Sequence, residues 1–353
     1  DMSFSVQVPG ALGPGALEWS GTSLSSVFTQ RSNLLRPRFW RMLRDLLRFN
    51  ALTSRIAQAR IEDQMQQPLG DFLRAQGLSS EFTNWYLLPM LGCIWSCPTD
   101  QMLQFPLATM IRFCHNHGLI QITDRPQWRT VRGGSRNYVD RIVAHIPGRR
   151  LGCAVQRVQR DAQGVRVLSA AGWERFDKVV LAVHSDQALA MLADPSPLER
   201  GVLQAIRYQP NHAVLHTDAS VLPRNRRAWA AWNYERGQDD QGQTPGVCLH
   251  YLLNRLQPLP WKQPVIVSLN PVRQPAAGRI LGEYSYDHPV FDVAAIEAQQ
   301  RLPMLQGRSN TYYCGAWTGY GFHEDGLSSG LAAARQLLVD TVRDTDPAME
   351  LAA

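Results

Sequence analysis

The chain has 353 residues, 44% hydrophobic and 19% charged, with a formal net charge of +6. That length holds one large domain or two ordinary ones, and the composition excludes a disordered or fibrous chain. No apolar run approaches the ~18–20 residues of a membrane-spanning helix.

The positive charge is almost wholly arginine, since lysine occurs only at Lys178 and Lys262. Nucleic-acid binding favours a concentrated basic face interleaved with aromatics, and the modest net charge argues against it. The six cysteines, Cys93, Cys97, Cys114, Cys153, Cys248 and Cys314, have no repeated spacing. They read as reduced thiols of a cytoplasmic protein rather than a disulfide frame. The pair Cys93 and Cys97, with His115 and His117 downstream, matches no zinc spacing and lies in apolar surroundings, so no metal site is expected.

In chain order, two short strands are predicted at 4–8 and 17–20, joined by a Pro/Gly-rich turn. From about 23 to 118 the pattern is helical. Pro37 suits a first helical turn; from there Arg38, Arg41, Arg44 and Arg48 fall on one stripe, with Phe39, Leu43 and Leu46 on another. The basic segment 31–49 has two readings: a core-facing helix with solvated arginines, or a helix lying on an anionic membrane surface. Ser79 offers an N-cap before Phe82, Trp85 and Leu88, and Pro89, Pro98 and Pro106 break the next stretch into short pieces. Trp95 is either pocket wall or simple core. Gly133 and Gly134 precede a helix with Ser135 as N-cap and Tyr138, Ile142 and Val143 facing inward. Runs at 154–158 and 165–168 alternate as an antiparallel pair, whereas 179–183 is a continuous apolar run suited to a doubly covered strand. Further strands are predicted at 213–216, 228–234, 247–253 and 265–269, and a helix or linker at 297–305.

The most informative stretch is 310–335, NTYYCGAWTGYGFHEDGLSSGLAAAR. An aromatic run that favours a strand gives way to glycine-punctuated chain and then to an Ala/Leu-rich helix. Bare backbone at a helix start lets a ligand approach unpaired N–H groups; an ordinary strand-to-helix crossover needs the same glycines. Residue types alone leave both readings open.

This stretch resembles the C-terminal flavin-contacting motif of the FAD-dependent amine oxidase superfamily. More closely it is similar to a bacterial group described as predicted NAD/FAD-binding or flavin-containing amine oxidase-like proteins. CGAW at 314–317 and GFHEDG at 321–326 are specific to that group. Matching segments include DMSFSV at 1–6, IWS at 94–96, PQWRTV at 126–131, GGSR at 133–136, WAAWNY at 229–234 and HPVFD at 288–292. The likeness thus covers essentially the whole chain. One element is missing: the family's opening G-x-G-x-x-G turn, which receives the ADP pyrophosphate. The run from Gly10 to Gly15 is the nearest candidate, and Pro14 and the lack of a preceding apolar strand exclude it. By comparison with the family, the chain begins after that first unit, inside the substrate domain.

The resemblance implies an α/β (α+β) fold: an incomplete Rossmann-like FAD-binding domain at 131–190 and 305–345, and a discontinuous substrate domain of helices and a mostly antiparallel sheet at 1–130 and 191–304. Residues 346–353 form a tail. It implies FAD as cofactor, with Val155, Ala182, Gly315, Ala316, Trp317, Asp325, Gly326 and Leu327 in its site. Gly326 and Leu327 are expected to offer backbone N–H groups to the flavin's pyrimidine edge. The wider superfamily carries an acidic residue where this chain has Ala316, so its ribityl hydrogen bond is either lost or taken over by Glu324 or Asp325. Trp317, Tyr320 and His323 are the expected catalytic-side residues, forming an aromatic wall in which His323 is the candidate for proton transfer. Lys262 is a weak match to the lysine that many amine oxidases keep near the flavin. The implied function is oxidation of an amine or an unsaturated, lipid-like substrate by hydride transfer to flavin. Alternatives are a desaturase or isomerase of the same fold, or a truncated remnant unable to hold FAD. The expected partners are a small-molecule or lipid-like substrate and no obligate protein. The expected location is the cytoplasm, peripheral to the inner membrane if 31–49 makes that contact.

Overall fold

The computed structural model describes residues 2–12, 15–61, 67–96, 99–121, 126–237 and 248–345. The chain forms two discontinuous units, Asp1–His145 with Pro210–His288, and Ile146–Gln209 with Pro289–Ala353. In chain order the strands are β1 (Phe4–Pro9), β2 (Ala16–Ser20), β3 (Arg157–Asp161), β4 (Gly164–Ser169), β5 (Gly172–Phe176), β6 (Val179–Leu181), β7 (Arg207–His216), β8 (Trp232–Glu235), β9 (Cys248–Leu252), β10 (Ile266–Leu269), β11 (Ile280–Val290) and β12 (Thr311–Tyr313).

The first unit is built on a seven-stranded sheet of order β11-β7-β10-β9-β8-β1-β2. It is mostly antiparallel, with β1 and β8 running parallel. The β1–β2 hairpin turns through Gly10 and Gly15, both at positive φ, and Gly10 N–H donates to Gly15 O at 2.9 Å; residues 13 and 14 lie outside the described set. Alternation along β2 sends Trp19 into the core, where its Nε1–H donates to Trp85 O at 3.2 Å and its ring meets Phe39 edge-on. Helix Pro37–Ala59 begins at its proline and buries Phe39, Met42 and Phe49. Ser79 is the N-cap of the next predicted helix start, accepting the Phe82 N–H at 3.3 Å. Trp95 lies in the core between Phe105 and Phe113, each ring 4.7 Å away. Cys93 is a buried thiol, and burial raises its pKa; Cys97 lies outside the described residues. No helix of the described residues is long and apolar enough to cross a membrane.

Helix Arg136–Ala144 departs from expectation. Ser135 occupies the N-cap position without a side-chain hydrogen bond, and no residue of the helix is buried. Ile142, expected inward, is 56% exposed. Hydrophobic spacing predicts the helix but cannot supply a partner for its apolar side.

The second unit joins a three-stranded antiparallel sheet, β3-β4-β5, to a parallel pair, β6 and β12. Its core gathers Val158, Val165, Leu181, Leu192, Val202, Tyr313 and Trp317. β5 is not foreshadowed by periodicity, because its sequence GWERF has one apolar residue on each face and no run. β6 ends at Leu181, two residues short of the predicted strand, and Val180 is exposed rather than covered. Inside this unit Glu199 is buried and accepts from Arg160, from Tyr313 Oη–H at 2.6 Å and from Ser196 N–H at 2.7 Å. Burial acts to raise its pKa, and these donors overcome that and hold the carboxyl at about 2.

Candidate functional site

The candidate site is the passage from β12 into helix His323–Thr345. β12 is seated by its parallel pairing with β6, which Cys314 extends by donating its N–H to Leu181 O at 3.1 Å. The ends of the two strands therefore adjoin, bringing Ala182 and Val183 beside Gly315. Gly315 has φ +150°, and a Cβ there would lie 2.7 Å from the Trp317 indole nitrogen. Only glycine fits.

From Gly315 the chain makes a short 3₁₀ turn over Ala316–Thr318. Its carbonyl accepts from Thr318 N–H at 3.1 Å and Thr318 Oγ1–H at 2.9 Å. Gln299, projecting from helix Val293–Arg301, donates through Nε2 to the carbonyls of Trp317 at 2.8 Å and Gly319 at 2.7 Å. Ser329 closes the arrangement. Its Oγ accepts the Gly315 N–H at 3.0 Å and lies within donating distance of Gly315 O (3.2 Å) and Gly326 O (3.0 Å). No sequence signal assigns a role to Ser329 or Gln299, since the backbone they clamp lies 14 and 18–20 residues away.

The helix starts earlier than the glycine pattern suggests. Asp325 Oδ2 accepts the Phe322 N–H at 2.9 Å, a first-turn acid reaching back to the N-cap amide. Gly326 and Gly330 therefore stand on helical turns, not in a loop. The expectation that Gly326 offers an unpaired N–H is corrected: that group donates to Phe322 O at 3.1 Å. What Gly326 provides instead is clearance, because a Cβ added there meets nothing closer than Ala316 N at 3.8 Å, and one at Gly330 meets nothing within 4 Å. Glu324 and Asp325 place carboxylates in the first turn, so the helix terminus already carries compensating negative charge.

The structure brings Ala182, Gly315, Ala316, Trp317, Asp325 and Gly326 together in one neighbourhood. Leu327 comes next with its side chain exposed, while Val155 precedes β3 and packs on the same core. Trp317 is buried, and its Nε1–H donates to Val183 O at 3.0 Å, so its ring belongs to the core of the unit. Tyr320 is half-buried and His323 exposed. Lys262 is exposed in the other unit, and Lys178 pairs with Asp344 at 2.6 Å. A shallow concavity lined by Glu18, Gln30 and Arg224 among others also lies in the first unit, where the Glu18 carboxylate is taken by the Arg224 and Asn225 amides.

A family model described as flavin containing amine oxidoreductase matches residues 24–223. The chain belongs to that family of FAD-dependent oxidoreductases. No curated protein sequence matches it significantly. Among solved structures it is similar to cyclohexylamine oxidase from Brevibacterium oxydans IH-35A, with TM-score 0.61 and 14% identity over 97% of this chain and 82% of that one. Wild-type putrescine oxidase bound to putrescine gives TM-score 0.57 and 12% identity, covering 98% and 82%. The CLA-producing fatty acid isomerase from P. acnes gives TM-score 0.56 and 15% identity, covering 94% and 80%. At these identities the likeness is one of fold.

The residues present fit the family's cofactor. The open face at Gly326, beside the Ala316 backbone, is a cradle that a Cβ would begin to fill, and Gly315 admits no side chain at all.

Proposed function

We propose that this chain oxidises an amine or an unsaturated, lipid-like substrate, and that the strand–turn–helix passage at 311–330 holds the flavin. Bound there, FAD supplies the hydride-accepting ring. The unit containing residues 146–209 and 289–353 is assigned to cofactor binding, and the unit containing 1–145 and 210–288 to substrate. The observation that carries this reading is the clearance at Gly326 next to a backbone that Ser329 and Gln299 hold rigid. Gly315, Ala316 and Gly326 present bare backbone to the cofactor, and Ala182 borders them from the neighbouring strand. Trp317 positions the turn from beneath. Tyr320 and His323 serve the substrate side, where His323 carries a proton.

The purified protein should show flavin absorbance near ~450 nm, and oxygen uptake should rise with an amine or an unsaturated lipid. A protein that stays colourless and takes up no added FAD would sink this reading. The lipid-like alternative, as an isomerase or desaturase, draws support from helix Pro37–Ala59. Trp40 is 49% and Leu47 54% exposed there, after Leu35 at 87%. Arg44 and Arg48 beside them are exposed and make no ion pair among the described residues. We assign this face to peripheral contact with an anionic membrane of a cytoplasmic protein.

A further inference from the structure

Far along the chain from the flavin motif, the first unit buries three metal-ligating side chains on one face of its sheet. Glu235 on β8 is the cross-strand partner of Cys248 on β9, and His250 stands two residues later on the same face. The Cys248 Sγ lies 3.5 Å from His250 Nε2, and His250 Nε2 lies 3.2 Å from Glu235 Oε2. All three atoms fall within 4.8 Å of one another. Tetrahedral zinc bonded to sulfur, nitrogen and oxygen has ligand-to-ligand edges of roughly 3.3–3.6 Å. One edge of this triangle, 3.5 Å, has that length, and a second, 3.2 Å, is just below it.

The surroundings orient the imidazole as a ligand requires. His250 Nδ1 is 2.6 Å from Ser268 Oγ on β10, which is 2.7 Å from His216 Nε2 on β7. Asp218 donates its N–H to His216 Nδ1 at 3.1 Å, so the His216 proton sits on Nε2 and points at Ser268. Ser268 Oγ can accept from His250 Nδ1–H as well, which leaves the Nε2 lone pair aimed at the thiol and carboxylate. A hydrogen bond on the far ring nitrogen is the usual companion of a metal-bound histidine. Without a metal, the thiol proton or a proton on Nε2 lies between these atoms and Arg273 pairs with the carboxylate; a metal takes the place of that proton.

We propose that Glu235, Cys248 and His250 bind one thiophilic divalent cation of the zinc class, with the fourth position taken by water. The Cys248 thiolate and the Glu235 carboxylate balance its charge, and the thiol proton is released on binding. Arg273, whose guanidinium is half-exposed, contacts Glu235 Oε1 at 3.1 Å and Oε2 at 3.3 Å. Arg273 competes with the metal for that carboxylate, so it limits affinity.

The test titrates cobalt(II) chloride into the full chain after dialysis against a chelator. One equivalent should produce intense tetrahedral visible bands and a near-ultraviolet thiolate-to-cobalt charge-transfer band, both removed by added zinc. Cys248→Ser should lose the charge-transfer band. Arg273→Gln should tighten cobalt binding by up to about fivefold, the size of the exposed ion pair it removes. No charge-transfer band in the wild-type chain, or the same band in Cys248→Ser, overturns the proposal. If Cys248→Ser does not fold, the wild-type spectrum and Arg273→Gln decide: unchanged or weaker binding in the latter leaves the proton as the shared cation. None of these readouts depends on flavin or turnover.

Discussion

Ser329 Oγ accepts the backbone N–H of Gly315 at 3.0 Å, tying the end of β12 to the second turn of the next helix. A hydroxyl on the helix thereby substitutes for the strand neighbour that Gly315 lacks, and fixes the height at which the chain passes over Gly326. Ser329→Ala leaves that amide without its partner, at a cost of ~1–3 kcal/mol. Urea denaturation should show the loss, and the flavin-to-protein absorbance ratio should fall with it. A wild-type ratio in this variant would show that the turn keeps its shape without the clamp.

Gly326→Val tests the cradle. The position is helical and its added Cβ is 3.8 Å from the nearest protein atom, so the fold should tolerate the change apart from ~1 kcal/mol or less of propensity difference. Flavin retention should drop sharply while circular dichroism stays as in the wild type. Gly330→Ala, whose methyl group meets nothing within 4 Å, should instead gain ~0.5–1 kcal/mol.

Gly315→Ala should fail for a different reason. Its φ of +150° and the approach to Trp317 together cost on the order of 1–3 kcal/mol or more, and Trp317 must move. A shift in tryptophan fluorescence should accompany a lowered melting temperature.

Glu199 makes stability pH-dependent in the acid range. Its donors hold the folded-state carboxyl at about 2, against a normal value of 4.5. The unfolded chain therefore takes up the proton first as pH falls. The stabilisation is complete above pH 4.5 and is lost progressively as pH falls from there to 2. Glu199→Gln should flatten that part of the stability curve and cost ~1–3 kcal/mol near neutrality, since Arg160 keeps Asp194 as a partner at 3.2 Å. An unchanged acid limb would assign the acid sensitivity to other carboxylates.

Arg44→Glu with Arg48→Glu should weaken binding to phosphatidylserine-containing vesicles, by about 1 kcal/mol or more per reversed charge. Neutral vesicles should not distinguish the variant from the wild type. No binding by the wild-type chain to either vesicle would leave helix Pro37–Ala59 as an ordinary solvated surface.

Much of this architecture is legible in residue order. Pro37 locates the start of the long helix, but of the stripe read at Phe39, Leu43 and Leu46 only Phe39 is buried, beside Met42 and Phe49, while Leu43 and Leu46 are half-buried. Apolar runs bounded by turn residues locate β1, β2, β4 and β7 to β10. These signals are local: a proline ring, a cap, a periodicity. The glycines of 315–330 are recognisable for the same reason. Their roles are less so, because Gly326 N–H is consumed by Phe322, and that depends on Asp325 having set the helix start three residues earlier.

Sequence alone determined the class of element at most positions and the family to which the chain belongs, since both depend on residues close together or on a contiguous motif. Tertiary structure decided which faces were covered and which groups met. It placed Ile142 and Val180 at the surface, sank Trp317 into the core, and set Ser329 on Gly315 and Gln299 under the turn. It also set Glu235 beside Cys248 and His250. Strand pairing and helix docking bring together residues far apart along the chain, and no local preference encodes that distance.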